Sequence, residues 1–405
     1  MLKEVNIAKK VKYKVPFGTV SITPQAKRLI HRALSTKMVT NGRLVREFEE
    51  RFAITFGVKY AVAVSSGTDA NALACAALYD FGAHRGDEII IPAFTFVATA
   101  NAVLQAGFTP VFVDVKKETL NIDPQAIEKV IGPRTRAIMP VHLMGKPAEM
   151  DRIIAIAKKH KLFVIEDAAE AHGAEYKGRR IGTFGNVAAF SLYAAHIITS
   201  IEGGMLTTND PKIDEAVRSL RNHGMVGHFI YQRIGFSSKM NELEAAVGIG
   251  AIKIFNKILN TRRRNMLYLC KAFEKFSEFF LPFREEAYEK LGPHAFPITL
   301  REGVGFSKDE LVQFLDVNGV DSRNLFYSIP TQCPSYAFLG HRLGDFPNSE
   351  YLSNHGIHIG VHQDLGVPEL KYVVKVVERF LKEKHYSKKN HKSQATSHSK
   401  MTGDL

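Results

Sequence analysis

The chain has 405 residues, of which 45% are hydrophobic and 23% charged, and it carries a net charge of +13. That balance excludes a collagen-like, low-complexity or mostly disordered protein, and the length leaves room for two or three domains. A basic excess of this size points toward an anionic partner: nucleic acid, lipid or a small anionic substrate.

The N-terminal run MLKEVNIAKKVKYKV interleaves charged and apolar residues and holds no apolar core of signal-peptide length. Thr23 and Pro24 read as a helix start, followed by an apolar stripe at Ala26, Leu29, Ile30, Ala33 and Leu34. Strand-like runs then recur at Tyr60–Val64, Glu88–Ile91, Val111–Val115, Ala137–Val141, Phe163–Glu166, Ala188–Leu192 and Met205–Thr208, with helical stretches between several of them. The uncharged stretch from Ile89 to Val113 is long enough in principle to cross a membrane. Pro92, Gly107 and Pro110 interrupt it, so strand, loop, helix and strand is the better reading, and no membrane partner is expected.

Such alternation predicts a mainly parallel sheet covered on both faces, with ligands at the carboxyl ends of its strands. From Asn241 to Lys275 the pattern is helical; a strand at His294–Thr299 and helices at Lys308–Asn318 and Pro368–Lys382 follow. The expected organisation is a large α/β domain over 15–250, a smaller α+β domain over 251–381, and a tail over 382–405. That tail has six lysines against two acids and reads as a solvated, disordered end. Cys75, Cys270 and Cys333 are too few and too scattered for a disulfide scaffold, which fits a reducing cytoplasm.

Three segments carry chemistry. Ser65-Ser66-Gly67-Thr68-Asp69-Ala70-Asn71 follows a strand and opens a helix, where free backbone N–H groups can receive an anion. Val164-Ile165-Glu166-Asp167 ends a hydrophobic strand in a carboxylate, which is costly in a dry site without a cation; a protonated heterocycle is one such cation. Asp167, Glu170 and His172 lack a metal-ligand spacing, and His355, His358 and His362 read as substrate-side or surface histidines, so no metal is expected. The third segment is Phe190-Ser191-Leu192-Tyr193-Ala194-Ala195-His196 running into Glu202-Gly203-Gly204.

Together with PAFTFVATANAVLQAGFTPVFVDV, RNHG and MNELEAAVG, these segments resemble the DegT/DnrJ/StrS sugar-nucleotide aminotransferases over nearly the whole chain. The resemblance implies an aspartate-aminotransferase-like fold, pyridoxal or pyridoxamine 5'-phosphate as cofactor, and a homodimer. It also implies that Gly67, Thr68, Asp69 (through its backbone) and Ser191 hold the cofactor phosphate. Phe96 would stack on the ring, Asp167 would pair with the ring nitrogen, and Glu170 would lie near the ring hydroxyl. Ser237 stands where relatives offer an Asn across the dimer.

The departure from the pattern is His196. It occupies the position of the aminotransferases' Schiff-base lysine, and no lysine occurs from Gly178 to Pro211. Imidazole cannot make that covalent link, but it can move a proton near neutrality. The same replacement marks the 3-dehydratase branch of the family, which deoxygenates 4-keto-6-deoxy nucleotide sugars and recovers its amine from a donor such as glutamate. The subgroup of that branch with an iron–sulfur cluster is excluded, because such a cluster needs about four cysteine ligands and this chain has three. Arg179, Arg180, Arg221 and Lys239 are candidate contacts for a nucleotide diphosphate; no nucleic-acid-binding motif is present. Three readings stay open: a dehydratase, an aminotransferase using another base, and a silent binding dimer.

Overall fold

The computed structural model describes residues 13–326 and 329–398, with side chains in the last helix described to Lys384. The first half comprises α1 (Pro24–Thr36), α2 (Arg43–Phe56), β1 (Tyr60–Val64), α3 (Gly67–Ala76), β2 (Glu88–Pro92), α4 (Val97–Gln105), β3 (Thr109–Val113), the one-turn α5 (Pro124–Ile127), β4 (Thr135–Ile138), α6 (Met150–His160) and β5 (Phe163–Asp167). The short strands β6 (Glu175–Tyr176) and β7 (Arg179–Arg180) come next, then β8 (Val187–Ser191), β9 (Gly204–Thr208), α7 (Pro211–Leu220) and the hairpin β10 (Met225–Gly227) and β11 (Ile230–Tyr231). The remainder is α8 (Glu242–Phe273), β12 (Glu289–Lys290), β13 (Ala295–Thr299), α9 (Lys308–Val317), β14 (Ser322–Asn324), α10 (Pro347–His355), β15 (Gly356–Gly360) and α11 (Val367–His398).

The seven strand-like runs of the sequence form one seven-stranded sheet, in the order β1-β9-β8-β5-β4-β2-β3. Its pairings are parallel except at β9, which runs antiparallel to both β1 and β8. Both faces are covered, as near-continuous apolar strands require. Ile90 and Val164 pack on one face with Phe48, Phe52 and Phe190, while their strand neighbours Ile89, Ile91 and Ile165 pack on the other with Leu73 and Leu78. Thr23 caps α1 as expected, its hydroxyl accepting from the Ala26 N–H at 3.1 Å. The stripe on α1 ends sooner than predicted, because Leu34 is left exposed.

The second core gathers β13, β14 and β15 with the C-terminal half of α8 and the N-terminal half of α11. Two packing facts redraw the expected division. Long helix α8 serves both cores, with Phe255 and Ile258 in the first and Met266 and Leu269 in the second. Val15 and Phe17 join the second core too, since Val15 bridges Val320 in parallel. A boundary at 250 therefore falls inside a continuous helix, and the segment at 15–17 sits with the smaller domain. The expected tail also differs: α11 continues to His398, so the helix that packs through Phe380 and Leu381 carries on into the basic segment. Residues 399–405 lie outside the described residues. Among the described residues, no helix is long and apolar enough to cross a membrane.

Candidate active site

The carboxyl end of β1 leads into α3, and the turn is built by short polar side chains. Ser66 is the N-cap, its hydroxyl accepting from the Asp69 N–H at 3.0 Å. The Asp69 carboxylate in turn accepts from the Ser65, Ser66 and Ser238 hydroxyls at 2.6, 2.7 and 3.0 Å. Asp69 therefore shapes the loop, and its N–H is already spent on the cap, contrary to the expectation that this N–H serves a phosphate. The first-turn N–H groups of Gly67 and Thr68 make no bond among the described residues and remain as anion donors. Gly67 is required here by contact: a Cβ on it would lie 2.7 Å from the Ser191 Cβ. The loop and the end of β8 thus form one small cradle. Ser237 is exposed and bridges Asn222, whereas its buried neighbour Ser238 is the serine that meets Asp69.

Asp167 ends β5 and is buried. Its Oδ2 accepts from Asn71 Nδ2 and from Thr99 Oγ1, both at 2.9 Å, and its Oδ1 accepts from the Ala169 N–H at 3.2 Å. Burial raises its pKa, and these three donors offset the rise only in part. A buried carboxyl held by neutral donors, with no ion pair among the described residues, is a site lacking a cation. A protonated heterocyclic nitrogen supplies one, so the residues fit a pyridinium cofactor. Glu170 lies three residues on, with Oε2 accepting the Met144 N–H at 2.7 Å, and burial pushes its carboxyl up to about 7. Phe96, at the start of α4, leaves 59% of its surface open and approaches Phe326 at 6.3 Å between ring centroids.

His196 lies on the turn between β8 and β9. Its ring centroid is 5.8 Å from that of His172, 4.9 Å from that of His294 and 6.3 Å from that of Tyr193. Burial, with the nearby Arg262 guanidinium second, pushes its imidazole down to about 3, so it stands neutral at physiological pH. His172 is held in place by accepting the Ile198 N–H on Nδ1 at 3.1 Å, and burial keeps it well below the usual histidine range. His294 comes from the second domain at the start of β13, and its N–H reaches the Met144 carbonyl at 3.4 Å. The segment around Met144 therefore ties Glu170 to His294.

The motif reading named Asp167, Glu170, Ser191 and His196 as site residues but not Asn71 and Thr99, which bond Asp167, nor His172 and His294, whose rings lie against His196. Asn71 and His172 lay inside quoted motifs, and only their contacts reveal their work. Two diphosphate candidates are engaged elsewhere. Arg221 is buried against Glu49 and the Ala63 carbonyl, at 2.5 and 2.7 Å, and Arg180 caps the Thr55 carbonyl of α2. Arg179 bonds Thr183, and Lys239 reaches Asn222 at 2.8 Å from the exposed side of the loop. His355, His358 and His362 do not assemble, and no group of metal-ligating side chains occurs among the described residues.

With this geometry in hand, the profile of the DegT/DnrJ/EryC1/StrS aminotransferase family matches residues 20–378. The chain belongs to that family. It is 36% identical to a GDP-perosamine synthase of Caulobacter vibrioides over 345 residues, 84% of this chain and 91% of the relative. It is 31% identical to a dTDP-4-dehydro-2,6-dideoxy-D-glucose 3-dehydratase of Saccharopolyspora spinosa, over 90% of this chain and 86% of that one. Among solved structures it is similar to the E. coli GDP-4-keto-6-deoxy-D-mannose-3-dehydratase with bound hydrated pyridoxal phosphate. That likeness has a TM-score of 0.83 at 28% identity and covers 90% of this chain and 99% of the other. The chain is a pyridoxal-phosphate-dependent, sugar-nucleotide-modifying enzyme of fold type I.

Proposed function

We propose that the enzyme is a 3-dehydratase of a 4-keto-6-deoxy nucleotide sugar, working from the pyridoxamine form of its cofactor. The observation that carries this reading is the imidazole of His196 in the position of the family's covalent lysine, with no lysine between Gly178 and Pro211. When bound, the cofactor supplies an amine and an electron-accepting ring. Asp167, held by Asn71 and Thr99, keeps a proton on the ring nitrogen. The N–H groups of Gly67 and Thr68, with the Thr68 and Ser191 hydroxyls, receive the phosphate, and the exposed face of Phe96 receives the ring. His196, neutral beforehand, would accept on a ring nitrogen the proton given up by the carbon that bears the cofactor's amine and pass it to the sugar oxygen that leaves as water. At sugar position 3 the carbon–oxygen bond breaks and a carbon–hydrogen bond replaces it; the two electrons come from glutamate, which is oxidised to its 2-oxo acid as ammonia is released.

Amino transfer is the second reading, and the comparisons taken by name weigh toward it, since perosamine synthases stand high among the relatives. It requires a base other than a lysine at this position. A homodimer is part of either proposal. Phe229, Ile230, Tyr231 and Ile234 in and after the β10–β11 hairpin are exposed apolar residues, 69%, 58%, 56% and 83% open, in a single run next to the phosphate-side loop. A second copy of the chain would cover them and bring Ser237 toward the neighbouring site.

The test is incubation with a 4-keto-6-deoxy nucleotide sugar, cofactor and glutamate. Ammonia with a deoxy product supports dehydration, a stable amino sugar transfers the assignment to the second reading, and no change leaves a silent dimer. In parallel, borohydride reduction of the loaded enzyme should add no cofactor mass to the chain. A reduced lysine adduct would end the dehydratase proposal.

A further inference from the structure

Arg262, on α8, is the largest fully buried side chain among the described residues, at 1% exposure. A buried guanidinium costs several kcal/mol unless an anion or a full set of acceptors compensates it. Among the described residues no carboxylate forms an ion pair with it; the acidic group whose field reaches it is Asp364, which accepts from the Thr19 hydroxyl at 2.6 Å. Its donors go instead to neutral oxygens. Nη1 reaches the Ala195 carbonyl at 3.0 Å, Nη2 the His196 carbonyl at 3.5 Å, and Nε the Gln363 Oε1 at 3.2 Å. Gln363 is itself fixed, donating to the Ser21 hydroxyl at 3.0 Å. One helical turn on, the buried Asn265 holds the same second-domain loop through the carbonyls of Val361, His362 and Leu365, at 3.3, 3.1 and 3.1 Å. The α8 helix thus grips the His196 turn with one side chain and anchors that grip to the second domain.

We propose that Arg262 is the positioning residue of His196: its fork holds the Ala195 and His196 carbonyls and so fixes the backbone that aims the imidazole, with its fixed cation beside the ring. The inference rests on the reading of His196 as the base. The groups facing His196 are His172 after β5, Tyr193 on its own turn, His294 at the start of β13, with His358 behind it, and Arg262 from α8. Arg262 is the cation among them; after burial its field is the next cause of the His196 depression, whereas for His172 and His294 it comes behind burial and neighbouring histidines. The pocket rewards the arrangement in one specific way: a planar guanidinium can donate to two successive carbonyls and a side-chain amide at once, which an ammonium cannot do in one geometry.

The experiment compares Arg262→Gln, which removes the charge, with Arg262→Lys, which keeps the charge and loses the fork. The first readout is the histidine titration of the cofactor-free chain by NMR, with His196→Asn assigning the signal, so it does not depend on which reaction the enzyme performs. Arg262→Gln should raise the His196 titration by about one unit or more, while Arg262→Lys leaves it within a few tenths. The second readout is steady-state kinetics on the dimer, where both variants should lose about 10- to 100-fold in kcat with KM changed far less. An unshifted His196 titration in Arg262→Gln overturns the electrostatic half, and wild-type kcat in Arg262→Lys overturns the aiming half. If Arg262→Gln fails to fold, Arg262→Lys decides alone: lost kcat with an unmoved titration supports the proposal, and an unchanged kcat refutes it. Should the sugar assay show no dehydration while the titration still shifts, the failure belongs to the reaction assignment and not to Arg262.

Discussion

Asn71 Nδ2 donates to Asp167 Oδ2 at 2.9 Å, joining the phosphate-side helix α3 to the carboxylate at the end of β5. Thr99 on α4 donates to the same oxygen, also at 2.9 Å. The surroundings of the Asp167 carboxyl are therefore built by two helices and a strand. Asp167→Asn removes the one negative charge that a pyridinium would meet. Its turnover is expected to fall by about 10²–10³, with cofactor binding weakened; Asn71→Ala should show the same trend more mildly. Absorbance titration with the cofactor and initial rates would check both, and undiminished rates in Asp167→Asn would remove Asp167 from the site.

Gly67 tests the phosphate cradle. Its missing Cβ is what lets α3 approach Ser191, since that atom would lie 2.7 Å from the Ser191 Cβ. Gly67→Ala should cost about 1–3 kcal/mol of stability through overpacking and weaken cofactor affinity. A denaturant melt and a binding titration measure the two effects; normal affinity would mean that the phosphate sits elsewhere.

His196→Ala should leave cofactor binding in place and lower turnover by about 10²–10⁴, the range for loss of a positioned general base. Rates near wild type, with cofactor bound, would shift the base to another side chain.

Glu170 sets a pH dependence in the cofactor-free protein. Burial raises its carboxyl from 4.5 to about 7, so the folded state favours the protonated form. The sign follows from linkage: this contribution is complete below 4.5 and is lost as pH rises through about 7. Relative to Glu170→Gln, the wild-type melting temperature should therefore fall across that window. Parallel curves for the two proteins would contradict the buried environment.

His358 acts in the opposite direction. Burial depresses its imidazole from 6.5 to about 3, so it stabilises the fold above 6.5 and that stability is lost as pH drops toward 3. The ring packs on Phe17 at 4.9 Å between centroids, so His358→Phe keeps the packing and should flatten the acid side of the stability profile. A profile as steep as wild type would place the acid sensitivity in other histidines.

Much of the architecture was legible locally because sheet strands buried on both faces must be nearly all apolar. The Ile89-Ile90-Ile91 run is one such strand, and its alternate residues divide between the two cores. Cap chemistry is equally local, which is why Thr23, Pro24 and the small-residue turn before α3 announced their helices. For the tail, basic composition argues for a solvated end, while α11 runs on from the packed Phe380 and Leu381 to His398.

Residue order alone determined that a histidine stands at 196 with no lysine from Gly178 to Pro211, that Asp167 ends a hydrophobic strand, and that glycine occupies the turn at 67. What it could not determine was which polar side chains are dry. Arg262 sits in the run TRRRN, and of its three arginines helix α8 buries this one, onto the Ala195 and His196 carbonyls. His294 likewise belongs to a strand of the second domain, about a hundred positions from the turn it meets. Burial and long-range contact are properties of the packed chain, and the electrostatics of the site follow from them: an imidazole that titrates near neutrality in water is neutral here because the fold has buried it, with a fixed cation nearby.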